Sequence, residues 1–96
     1  MNYDPNALED AAKRLVLSGR PHDAIKIYLF MADGDPSLDA GYVAERLGVC
    51  YEQAGELHAA KYWYGKALEE GPGFRPEAEK GRKRLQNITI DELLRN

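Results

Sequence analysis

This sequence predicts an all-α fold of stacked helix-turn-helix repeats, on three observations. First, the chain echoes itself: Leu8, Ala11, Ala12, Leu15, Gly19, Ala24, Tyr28, Met31 and Pro36 return 36 residues later as Ala44, Leu47, Gly48, Tyr51, Gly55, Ala60, Tyr64, Ala67 and Pro72. The pairs Gly19/Gly55, Ala24/Ala60, Tyr28/Tyr64, Pro36/Pro72 and Leu8/Ala44 are identical or similar in kind. A period of that size marks units too small to bury their own apolar faces, which must stack on one another. Second, apolar residues within each period recur at helical spacing. Third, glycine and proline fall between the helical runs, where turns belong.

The elements follow in order. Asp4 before Pro5 reads as an N-cap and first helical residue. The helix over 5–18 then carries Leu8, Ala11, Ala12 and Leu15 on one face until Gly19-Arg20-Pro21 breaks it. A second helix over 21–32 turns Ala24, Ile25, Tyr28, Met31 and Ala32 inward, and Asp33-Gly34-Asp35-Pro36-Ser37 forms the following loop. Asp39 is the expected cap of a third helix over 40–53, with Ala44, Leu47, Gly48 and Tyr51 inward. Gly55 ends it, and a fourth helix over 56–70 runs to the stop Gly71-Pro72-Gly73. Small residues at 11, 12, 24, 48, 60 and 67 allow antiparallel helices to approach closely, and Tyr28, Tyr51 and Tyr64 fill the space between pairs.

Residues 41–74 resemble a tetratricopeptide repeat of about 34 residues. Leu47-Gly48, Tyr51, Gly55, Ala60, Tyr64, Ala67 and Pro72 stand at that family's signature spacings, with Ala44 in place of the usual Trp. The unit over 5–38 matches less fully: Ala12 stands for the small Gly, Leu15 for the aromatic and Met31 for the Ala, while Gly19, Ala24, Tyr28 and Pro36 fit. The resemblance implies a single domain over 1–86, an α-α superhelix of two repeats closed by a capping helix over 75–86. Ala78 and Leu85 hold repeat-like positions there, and Gly81-Arg82 reads as a polar replacement suited to an outer face that meets water. Residues 87–96 form a separate amphipathic tail. Thr89 followed by Glu92 makes a capping-box pattern before Leu93-Leu94, and Ile88, Ile90, Leu93 and Leu94 make the tail too apolar to be idle.

Composition narrows the function classes. The 96 residues are 44% apolar and 30% charged, ordinary for a small folded domain. A net charge of −3 counts against nucleic-acid binding, which needs a basic field to displace counterions. A single cysteine, Cys50, leaves no internal disulfide to expect. No apolar run reaches membrane-spanning length and the N-terminus is polar and acidic, so a cytoplasmic protein with no membrane partner is expected.

No residue set points to catalysis. His22 and His58 hold the same place in the two units, without the further convergent ligands a metal needs. Cys50 sits on the small-residue face of its helix, with no neighbouring base to activate it. Gly71-Pro72-Gly73 follows a helix and lacks the strand and lysine of a phosphate loop. Tyr62-Trp63-Tyr64 makes no stacking platform, because adjacent helical residues point about 100° apart. Tyr64 is expected in the core and Trp63 between repeats. No enzyme activity, cofactor or metal is expected.

The resemblance places partner binding on the first helix of each unit, in a concave groove. By helical phase the groove positions here are Asn6, Glu9, Lys13, Tyr42, Glu45, Arg46, Val49, Glu52, Lys80 and Lys83, a set of mixed charge suited to a peptide or helix. Some members of the family clamp a chaperone's C-terminal carboxylate with five polar or basic residues. Those five places here carry Glu9, Lys13, Arg46, Pro76 and Lys80; none is identical, and Glu9 would repel a carboxylate. Arg75, Lys80, Arg82, Lys83 and Arg84 against Glu77 and Glu79 leave the capping segment basic in an acidic chain. A non-catalytic protein–protein interaction module, an adaptor, scaffold or assembly factor, is the leading expectation. The alternative is a structural repeat protein that self-associates as a homodimer. Two repeats are fewer than usually suffice alone, Phe30 stands where the family places a polar residue, and the tail is apolar.

Overall fold

The structure, a computed structural model, describes residues 4–34, 41–89 and 94. Every regular element among them is helical: α1 (Pro5–Leu17), α2 (Pro21–Gly34), α3 (Tyr42–Gln53), α4 (Leu57–Glu70) and α5 (Pro76–Arg84). Each helix packs on the next in sequence, and α5 also reaches back to α3. The result is two antiparallel pairs stacked side by side with α5 closing the second. None of the helices is long and apolar enough to cross a membrane.

Local chemistry sets the helix ends. Asp4 accepts the Asn6 N–H at 2.9 Å, with Pro5 at the first helical position. Both intra-pair turns close in the same way. Arg20 N–H donates to Leu15 C=O and Gly19 N–H to Val16 C=O; 36 residues on, Glu56 N–H donates to Tyr51 C=O and Gly55 N–H to Glu52 C=O. These paired bonds satisfy the last carbonyls of α1 and α3 and require a left-handed residue, supplied by Gly19 at φ +75° and Gly55 at φ +81°. The sequence echo is therefore an echo of backbone hydrogen bonding.

Two apolar clusters follow the two pairs. The first holds Ala12, Ala24, Ile25, Tyr28, Met31, Val43, Leu47 and Cys50; the second holds Ala44, Ala60, Tyr64, Ala67, Ala78 and Leu85. Tyr51 and Trp63 touch both and join them into one core. On α1 only Ala12 is fully buried, while Leu8, Ala11 and Leu15 are half-buried. An end helix packs chiefly on one neighbour, so its apolar stripe is covered on one side.

The structure departs from the sequence expectations at three places. Helix α2 runs through Asp33 and Gly34, which were expected to open the loop, because buried Met31 and half-buried Ala32 hold its last turn against the core. Helix α3 starts at Tyr42, preceded by Gly41 at φ +89°; the expected cap Asp39 and loop residues Asp35, Pro36 and Ser37 lie outside the described residues. Gly81 is not an outward polar replacement but a buried contact. A methyl there would collide with the Tyr64 ring, as one at Gly48 would from the opposite side. Tyr64 is thus wedged between α3 and α5, and two glycines admit its ring. Of the tail, Ile88 is half-buried on the second cluster and Thr89 is exposed; Ile90, Glu92 and Leu93 lie outside the described residues.

Candidate functional site

Helices α1 and α3 present most of the sequence-predicted groove positions, and their carboxylates turn inward to brace the stack. Glu9 accepts the Tyr28 hydroxyl at 2.6 Å and also the Tyr42 hydroxyl, tying α1 to α2 and α3. Burial first, then the bond to Glu9, pushes the Tyr42 phenol up to about 12 and holds Tyr28 higher still. Glu45, the residue 36 places on, is only 4% exposed and accepts the Ala78 backbone N–H at 3.1 Å. It thereby caps the first turn of α5 from another helix, where the helix dipole favours a negative charge. Arg46 and Arg75 approach the same carboxylate at 3.8 and 3.9 Å, and both guanidinium groups lie 5.7 Å from the Tyr42 ring centre. Glu52 accepts the Tyr64 hydroxyl at 2.7 Å and takes two bonds from Arg84, at 2.8 and 3.0 Å. The Arg84 bonds, with help from Tyr64, hold its carboxyl below the usual range.

A groove of about 260 Å³ opens between α1 and α3. Lys13, Val16 and Leu17 line it from α1, Tyr28 from α2, and Arg46, Val49 and Cys50 from α3. Leu17 stands at its rim 87% exposed, an unusual position for a large aliphatic side chain on the last turn of a helix. Lys13 keeps a long pairing of 3.8 Å with Glu9 and is otherwise open. The Nε of Arg46 is buried without a hydrogen-bond partner among the described residues. The groove thus combines an apolar wall with two cations.

Of the predicted positions, Lys13, Arg46 and Val49 meet in this groove. Glu9, Glu45 and Glu52 are held in internal networks, and Tyr42 is held by its hydroxyl and its stacked arginines. Asn6 is exposed in the first turn of α1, and Lys80 and Lys83 are exposed on α5, outside the groove lining. Phase reasoning missed Val16, Leu17, Tyr28 and Cys50 as lining residues. Leu17 carried a signal, an apolar residue beyond the buried stripe just before a turn. The bracing roles of Glu9 and Glu45 were not legible: both were expected in the groove, and their partners lie on other helices.

The other chemical candidates sit in structural places. Cys50 is buried, and burial pushes its thiol up to about 11, away from the thiolate a nucleophile needs. His22 is exposed and pairs with Glu56 at 2.9 Å, linking the starts of α2 and α4. Among the described residues no three His, Cys, Asp or Glu side chains gather as a metal site. Comparison with known protein families, curated proteins and solved structures returned no match.

Proposed function

We propose that this chain is a non-catalytic protein–protein interaction module of tetratricopeptide type, an adaptor or assembly factor that takes a peptide or helix in the α1/α3 groove. The observation that carries this reading is the joining of exposed Leu17 and the Val16–Val49 wall to two cations, Lys13 and Arg46. That chemistry suits a segment with an aliphatic anchor beside an acidic side chain. The apolar contact would supply affinity, and Lys13 with Arg46 would set orientation. The placement of Glu9, Glu45 and Glu52 as internal braces supports a rigid scaffold, because each carboxylate fixes two elements without facing a substrate.

The test is affinity capture with mass spectrometry, comparing the native chain with Leu17→Glu, Lys13→Glu and the outer-face control Lys26→Glu. Each variant should keep native helicity, since all three side chains are mostly exposed. Partners retained by Lys26→Glu and lost by both groove variants would support the reading. Identical partner sets for all four proteins would reject this groove.

A further inference from the structure

A second cleft, of about 420 Å³, lies on α4 and α5 and shares no lining residue with the groove. His58, Lys61, Tyr62, Gly65, Lys66 and Glu69 line it from α4, and Arg82 from α5. Its volume falls in the range of about 300–1,000 Å³ typical of small-molecule sites. Three basic side chains, Lys61, Lys66 and Arg82, share this lining with one carboxylate, Glu69, in a chain whose net charge is −3. Gly65 leaves its side-chain space to the Arg82 guanidinium, which a Cβ at that position would contact. Lys61 is anchored by a 3.4 Å bond to the Gln86 carbonyl, and Lys66 and Arg82 have no hydrogen-bonding partner among the described residues.

The cleft also has a flat wall. Tyr62 is 60% exposed, and its ring is held edge-to-face by Trp63 at a centroid distance of 5.2 Å and an angle of 84°. Trp63 in turn belongs to both core clusters, so the tyrosine is braced from behind. The cleft therefore places an exposed ring, held by Trp63, in one lining with two cations that have no partner among the described residues. Cations that line a cleft without a partner contribute little to stability. A phosphate monoester would give both cations a partner, since its two negative charges and three acceptor oxygens suit a guanidinium and an ammonium lining one cleft. A planar ring on the same molecule could stack on Tyr62.

We propose that this cleft binds a small phosphate monoester carrying a planar ring, of the nucleoside monophosphate class. Arg82 and Lys66 hold the phosphoryl oxygens, and the Tyr62 ring receives the planar group. The site is independent of the α1/α3 groove, so either can fail without the other.

Titration calorimetry of the full chain with adenosine 5′-monophosphate, adenosine and inorganic phosphate tests it, with circular dichroism confirming the fold of each variant. The monophosphate should bind most tightly, weaken with added salt, and lose about tenfold in affinity in Arg82→Ala and in Lys66→Gln. Tyr62→Ala should reduce monophosphate affinity towards that of inorganic phosphate. Should Arg82→Ala fail to fold, Lys66→Gln still decides the outcome, because it keeps a helix-compatible side chain. No heat of binding at millimolar ligand, equal binding of adenosine and its monophosphate, or undiminished binding by Lys66→Gln would each overturn the proposal.

Discussion

Two glycine-to-alanine changes on facing helices should move stability in opposite directions. At Gly48 a Cβ would fall inside the contact distance of three Tyr64 ring atoms. The ring cannot step aside, because Gly81 abuts its opposite edge and its hydroxyl is held by Glu52 at 2.7 Å. Overpacking of a tight core costs about 1–3 kcal/mol, and alanine returns up to about 1 kcal/mol of helix propensity. With no direction of relief, the upper part of the packing range applies, and Gly48→Ala should lose about 1–2 kcal/mol net. At Gly65 the new Cβ meets only the guanidinium of Arg82, the far end of a flexible, exposed side chain. The guanidinium can swing away, so propensity prevails and Gly65→Ala should gain up to about 1 kcal/mol. In a domain of this size each kcal/mol shifts Tm by about 4–8 °C. Thermal unfolding followed by circular dichroism therefore separates the two variants clearly. A Tm for Gly48→Ala equal to or above that of Gly65→Ala would refute the wedging of Tyr64.

Glu52 gives a pH signature: its folded carboxyl titrates below the unfolded value, so its contribution is complete above about pH 5 and is lost as pH falls through the lowered folded value. Glu52→Gln should flatten that acid limb in urea-unfolding free energies measured from neutral to acid pH, and an unchanged slope would count against the Arg84 and Tyr64 bonds. Tyr42 and Tyr28 act in the other direction: their raised folded values keep their contribution intact below about pH 10 and lose it as pH climbs towards the folded values. Tyr42→Phe should therefore reduce the loss of stability on the alkaline side in the same unfolding assay. Cys50 should resist a thiol reagent at pH 8 until denaturant is added, whereas rapid native-state labelling would contradict its burial. A chain ending at Gln86 loses the Ile88 contact with the second cluster and should drop about 1 kcal/mol in stability. Light scattering on that pair tests self-association, for which a dimer reduced to a monomer is the supporting result and two monomers the rejecting one.

How much was legible follows from what kind of information each feature needs. The turns within each pair and the inward tyrosines depend on neighbours within a few residues, and the 36-residue echo repeated each signal twice, whereas the end of α2 is set by its packing on the core. Gly19 and Gly55 could be read as turns because a left-handed residue after a helix favours glycine wherever it occurs. The groove was legible only in part. Helical phase places Lys13, Arg46 and Val49 on a common face, but it does not reveal which charges find partners across helices. Glu9, Glu45 and Glu52 share that face and are consumed by Tyr42, Ala78 and Arg84, which lie 33, 33 and 32 residues away.

The sequence by itself determined the repeat, the all-α architecture and the two glycine turns, because these rest on local backbone preference and apolar spacing. Only the tertiary structure decided that Gly81 is a seat for Tyr64 rather than an outward polar position, since the ring arrives from another helix. It also decided that Glu45 caps α5 and that Lys61, Lys66 and Arg82 share a cleft. These pairings depend on how α3, α4 and α5 close on one another, a geometry set by side-chain volumes that no single helix contains.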